Sequence, residues 1–293
     1  MNGKLGEERL KMEETVEMKI TDLDFVQGFI RMAGDGYQQN WHERNGGNLS
    51  YRMKPEEVEK ARACFGKEEP LQPIGTRVPG LAGEYFMVTG SGKFFRNVEL
   101  NPEDTCAIIE VDRTGEYYRI VWGLVNGGRP TSELPSHLMN HEVKKRVTNG
   151  AHRVNYHCHP TNLIALTFVL PLTAEVFTRE LWEMATECPV VFPAGVGVVP
   201  WMVPGGREIA VETSKLMKDY DAAIWAHHGL FCSGEDFDMT FGLAHTIEKA
   251  AEILVKVLSM RQGKRQTIQP DDFKNLAKDF HVTLPKRFLY EKE

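Results

Sequence analysis

Two histidines at alternating positions, His157 and His159 in Asn155-Tyr156-His157-Cys158-His159-Pro160, offer the chain's most direct route to chemistry. The apolar setting of 154–159 predicts a short strand, whose side chains alternate between faces. Both imidazoles then leave the same face, about 7 Å apart at the backbone. Two imidazoles on one rigid edge can share a metal ion, while Cys158 points the other way, into a core. A lone His-x-His is as readily a pair of hydrogen-bonded surface histidines, so other residues must decide.

A third ligand is available in His227-His228-Gly229, at the end of an apolar strand at 221–226. If strand geometry continues, only one of these two histidines can join the pair. Gly229 lets the backbone turn after His228, which mildly favours His228. Three neutral imidazoles with one open position describe a catalytic zinc site, because structural zinc is usually closed by four protein ligands. His137 and His141 also share a helix face at i and i+4, but helix packing is the better reading for them. Glu133, in Pro130-Thr131-Ser132-Glu133-Leu134-Pro135, stands at the mouth of a helix. It is either an acid suited to the helix dipole or a general acid/base beside the metal.

Two glycine-bearing turns, Asn45-Gly46-Gly47-Asn48 and Thr89-Gly90-Ser91-Gly92, combine backbone N–H groups with amide or hydroxyl donors, the ingredients of a phosphate nest. Neither is a Walker loop, since Met87 and Phe94 occupy positions that motif reserves for Gly and Ser/Thr.

The elements that must position these residues follow from periodicity. Helices are expected at 22–39, 55–64, 135–146, 161–170, 173–186, 206–219, 236–261 and 270–279. Strands are expected at 49–53, 84–88, 106–111, 117–124, 154–159, 189–193, 196–202 and 221–226, with a hairpin turn at Asp112-Arg113-Thr114-Gly115. Strands and helices without regular alternation predict one α/β domain, with a central, largely antiparallel β-sheet flanked by helices. That domain spans 21–293 after a charged N-terminal extension at 1–20, and no linker divides it.

Composition narrows the function classes. The 293 residues carry 42% hydrophobic and 26% charged side chains, ordinary for a soluble globular protein. A net charge of −6 supplies no basic field for nucleic acid. Neither a signal peptide nor a membrane-spanning run is expected. Five scattered cysteines without a Cys-x-x-Cys pair fit reduced thiols in a cytoplasm.

Assembled, these stretches resemble the class II, zinc-dependent sugar-phosphate aldolases. The likeness runs from about Phe25 to the long C-terminal helix. It rests on Glu43-Arg44-Asn45-Gly46-Gly47-Asn48-Leu49, on Val88-Thr89-Gly90-Ser91-Gly92-Lys93-Phe94-Phe95 and on 130–135. It rests equally on His157-Cys158-His159 and on Val176-Phe177-Thr178-Arg179 with Pro200-Trp201-Met202-Val203-Pro204-Gly205. The resemblance implies zinc on His157, His159 and His228, with Glu133 as the catalytic carboxylate. It implies phosphate binding by Asn45, Gly47, Asn48, Ser91, Gly92 and Ser132. It further implies a sugar-phosphate substrate and a homotetramer whose active sites lie at subunit interfaces. Glu187, with Glu183 as its neighbour, would reach an adjacent subunit's site. A non-catalytic scaffold on this fold would need neither the histidines nor Glu133.

Overall fold

The computed structural model describes residues 18–66 and 69–289. Its strands are β1 (Asn48–Arg52), β2 (Gln72–Pro73), β3 (Tyr85–Thr89), β4 (Cys106–Val111), β5 (Tyr117–Gly123), β6 (Val154–Cys158), β7 (Gly197–Val199), β8 (Ala222–Trp225) and β9 (Gly229–Gly234). They form one sheet in the order β2-β5-β4-β3-β1-β6-β9-β8-β7. Only β7 with β8 is parallel. The helices are α1 (Asp24–Gln38), α2 (Pro55–Ala61), α3 (Pro102–Thr105), α4 (Leu134–Val147), α5 (Thr161–Leu166), α6 (Ala174–Trp182), α7 (Cys188–Val191), α8 (Arg207–Leu216), α9 (Phe237–Ser259) and α10 (Pro270–Asp279). None is long and apolar enough to cross a membrane.

Every residue of β1, β6 and β9 is buried, because these central strands are covered on both faces. Alternation sorts their side chains. Leu49, Tyr51, Tyr156, Cys158, Leu230 and Cys232 join the core under α1, α5, α6 and α9. Phe231 packs on the opposite face with Trp225 and Ile209 of α8. Ser50 and Asn155 point to that face too, where they meet α4. Antiparallel register sets Asn48 opposite His157, and His157 opposite Phe231. One strand pairing thus brings together positions more than a hundred residues apart. The long helix α9 is capped by Asp236, whose carboxylate accepts the Met239 N–H at 2.8 Å.

Several expectations need correction. Residues 189–193 are not a strand: Cys188–Val191 is a short helix. Its Pro189, which has no N–H for a ladder, suits a first helical turn. The strand expected at 196–202 is confined to Gly197–Val199, ahead of Pro200. Strand β9 was not foreseen, because Gly229-Leu230-Phe231-Cys232-Ser233-Gly234 is glycine-bounded and lacks β-branched residues. Residues 1–17 of the expected extension lie outside the described residues; Ile20 is already buried.

Residues 226–228 close a hairpin between β8 and β9, with the His228 N–H donating to Trp225 O at 3.0 Å. The left-handed residue of that turn is His227, at φ 60°. Gly229 is required for a different reason than conformational freedom. A Cβ there would lie 2.3 Å from Cys158 O, so the hairpin could not close against β6. Gly229→Ala is therefore expected to cost about 1–3 kcal/mol as an overpacked contact, measured by urea unfolding, and to weaken metal retention at His228.

Candidate metal centre and cleft

His157 lies one residue from the end of β6 and His159 follows just beyond it, anchored by its N–H to Trp41 O at 3.0 Å. His228 arrives from the hairpin turn. Their potential ligand atoms all lie within 4.8 Å of one another. His227 does not join them: it is exposed, its Nδ1 lies 3.0 Å from Thr167 Oγ1 and its ring packs on Phe168. The left-handed backbone at His227 is what separates the two neighbours.

In two of the three rings a hydrogen bond takes up Nδ1, whereas His228 Nδ1 is buried with no partner among the described residues. The His157 Nδ1–H donates to Leu230 O at 3.0 Å, and the His159 Nδ1–H donates to Glu43 Oε1 at 2.7 Å. In neutral rings both Nε2 atoms then present lone pairs, yet they stand only 3.2 Å apart. His228 Nε2 is 3.3 Å from His157 Nε2. Two lone pairs at that distance repel unless a positive charge sits between them. Protonation is a poor answer: burial lowers His228 to about 4 and His157 well below the ordinary imidazole range, helped in both cases by the neighbouring imidazoles. A metal ion is the good one. Tetrahedral ligation at the usual 2.0–2.1 Å places nitrogens roughly 3.3 Å apart. The residues fit such an ion, with an open fourth position toward the cleft.

Glu133 occupies the N-cap position of α4 and is 5% exposed. Its Oε2 accepts the Asn48 Nδ2–H at 2.8 Å and stands 3.9 Å from His157 Nε2. Burial pushes its carboxyl up to about 7, and the Asn48 donation opposes that rise. A carboxyl poised there can both hold and release a proton near neutrality.

A cleft of about 210 Å³ opens above these groups. It is lined by all six expected phosphate residues (Asn45, Gly47, Asn48, Ser91, Gly92 and Ser132) together with Glu133, His157, His159 and His228. Asn48 differs from expectation in one respect, since its side chain is turned to Glu133 rather than standing as an open donor. The Ser91 N–H is likewise given to Arg129 O. The 45–48 turn is shaped by His42, which stacks on Phe95 at 3.6 Å and hydrogen-bonds Gly46 O and Tyr156 OH. Gly47, at φ +76°, sits so close that a Cβ would meet His42 Nδ1 at 2.4 Å. A bridge between Gly90 and Pro130 brings the Glu133 segment against the second turn.

Glu187 is not on this cleft. It is exposed at the start of α7. Glu183, the competing acid, is 2.8 Å from Lys264 Nζ within its own chain. Sequence reasoning missed Glu43 as the orienting partner of His159, and it missed Thr131, whose hydroxyl accepts the Glu133 N–H at 3.2 Å. Thr131 carried a signal, a hydroxyl two residues ahead of an acid in a turn. The Glu43 contact links residues 116 apart and had none.

Residues 27–255 match the family described as Class II Aldolase and Adducin N-terminal domain. The chain is 55% identical over 259 residues to a rhamnulose-1-phosphate aldolase of Mannheimia succiniciproducens, covering 88% of this chain and 95% of that one. It is 51% identical to the Pectobacterium atrosepticum protein of the same name, over 88% and 94% of the two chains. Among solved structures, a sugar-phosphate aldolase from Thermotoga maritima superposes with a TM-score of 0.70 at 27% identity, covering 83% of this chain and 97% of that one.

The buried imidazoles also set a pH limit on stability. Burial lowers both His42 and His137 to about 3, whereas an unfolded histidine titrates near 6.5. Between those values the unfolded chain binds protons that the folded chain refuses, so stability falls as pH falls. Urea unfolding of the metal-free protein is expected to show a loss of up to about 1.4 kcal/mol per pH unit for each such histidine below pH 6.5.

Proposed function

For a chain that belongs to the class II aldolase and adducin N-terminal domain family, we propose reversible aldol cleavage of L-rhamnulose 1-phosphate, with zinc as the metal. The products are dihydroxyacetone phosphate and L-lactaldehyde, a lyase step in rhamnose breakdown. The observation that carries this reading is a buried carboxylate, Glu133, 3.9 Å from a ligating histidine in a cleft walled by two glycine turns. The relatives at 55% and 51% identity, which the chain matches over nearly their whole length, supply the substrate.

Three imidazoles favour zinc over harder ions. Held by His157, His159 and His228, zinc supplies Lewis acidity toward the ketose oxygens. The chain's own groups do the rest. Asn45, Gly47, Ser91, Gly92 and Ser132 hold the phosphate, with backbone N–H groups and neutral side-chain donors, while Asn48, whose amide is turned to Glu133, walls that end of the cleft. The bond between C3 and C4 breaks, its electron pair staying with the dihydroxyacetone phosphate half, while the C4 hydroxyl releases its proton to solvent at the mouth of the cleft and its oxygen becomes the aldehyde oxygen. Glu133 then gives its proton to C3, and in the condensation direction takes it back.

The active assembly is a homotetramer in the cytoplasm, with Glu187 completing a neighbouring subunit's cleft. Its exposure, and the engagement of Glu183 by Lys264, support that choice. All five cysteines are free, which suits a reducing compartment.

The deciding assay is release of dihydroxyacetone phosphate from L-rhamnulose 1-phosphate, with and without a chelator. Loss on chelation and recovery with zinc support the reading. No cleavage by zinc-loaded protein would redirect the assignment to fuculose or ribulose phosphates. Glu133→Gln should retain zinc and lose about 10²–10⁴ in rate; unchanged turnover would refute its role. His159→Ala should lose metal, by elemental analysis, together with activity.

A further inference from the structure

Behind Glu133 and Asn48 runs a row of buried polar side chains, His137, Ser50 and His141, that does not line the cleft. Glu133 Oε2 accepts from Asn48 Nδ2 at 2.8 Å. Asn48 Oδ1 meets His137 Nε2. His137 Nδ1 is 2.6 Å from Ser50 Oγ, and Ser50 Oγ is 2.8 Å from His141 Nε2. Ser50, His137 and His141 are 0–1% exposed. Polar groups so deeply buried must pair, but pairing alone does not require a direction.

The direction is fixed from both ends. His141 Nδ1 is buried and has no hydrogen-bond partner among the described residues. An orphaned N–H is the costlier vacancy, so the proton of this ring belongs on Nε2. His141 then donates to Ser50 Oγ, which leaves the Ser50 hydroxyl proton for His137 Nδ1. His137 must in turn carry its proton on Nε2 and give it to Asn48 Oδ1. That commits the Asn48 amide nitrogen to Glu133. From the other end, an ionised carboxylate only accepts, and it demands the same amide orientation. Burial keeps both histidines neutral, so each has one N–H to spend.

We propose that His141, Ser50 and His137 form a one-way hydrogen-bond chain that locks the Asn48 amide and thereby aims the Glu133 carboxylate at the reacting carbon. They are positioning residues, and Ser50 is the joint that transmits the direction. The inference rests on the acid/base role given to Glu133 above.

Neutron diffraction of the metal-loaded protein tests the chain without turnover. Protons on Nε2 of both His137 and His141, with the Asn48 nitrogen facing Glu133, are expected. A proton on His137 Nδ1 would overturn the proposal even if the protein proved to be no aldolase. In solution, exchange of the C3 proton of dihydroxyacetone phosphate with deuterated water reads Glu133 directly. Ser50→Ala should slow this exchange and kcat by about 10- to 100-fold, the scale of a small misplacement, with KM and zinc content unchanged. In a Glu133→Gln background it should add nothing, because groups acting as one unit are non-additive. An equal loss in that background would mark Ser50 as merely structural and refute the idea, as would unchanged exchange in the single variant. Should Ser50→Ala fail to fold, His137→Gln keeps a donor for Asn48 and should outperform His137→Leu. Equal rates in those two would count against the chain.

Discussion

Two ring nitrogens, His157 Nε2 and His159 Nε2, are held 3.2 Å apart, and in neutral rings bonded elsewhere through Nδ1 both carry lone pairs. Lone pairs that close repel, and low polarity around them strengthens the repulsion. The fold maintains this arrangement by spending the opposite ring nitrogen of each histidine on Leu230 O and Glu43 Oε1. A site kept in readiness for positive charge is the condition from which the rest follows. His228 completes the set of imidazoles, and Glu133 stands close enough to feel any charge bound there.

Strand geometry supplies the rigidity. All three histidines come from the ends of β6 and the β8–β9 hairpin, whose ladders adjoin in the nine-stranded sheet. The glycine turns come from the ends of neighbouring strands. Side chains on such a frame lose little freedom when a ligand arrives, because it was already lost on folding. This is how loops that are individually ordinary turns become a binding surface.

Much of this was legible in the sequence because it is local. His157 and His159 alternate within three residues, Gly47 and Gly92 punctuate their turns, and Asp236 announces a helix. What was not legible is tertiary. Nothing near Ser50 says that it will sit between two histidines of α4, and nothing near Glu43 says that it will orient His159. Short apolar runs misled for a related reason. Residues 189–193 have no alternation to separate strand from helix, and Pro189 was the one local sign against a strand. Gly229 was read as a hinge, yet its smallness serves a close approach that no single stretch encodes. Likeness to a known family bridged part of this gap, since motif positions carry spatial information that periodicity lacks.

The central register has a consequence for how the molecule is made. Asn48 pairs with His157, and His157 with Phe231, so the innermost ladders join segments separated by 109 and 74 residues (157 − 48 and 231 − 157). Contacts of that span form late and slowly, after much loop entropy has been given up. No contiguous fragment shorter than residues 43–228 contains the site, and a half-built sheet has neither the three clustered histidines nor the two glycine turns in place. Metal and substrate can bind only the finished fold, and their binding free energy goes to protecting it. In a cell, supply of the ligand would then govern not only the rate of turnover but how long each copy of the protein survives.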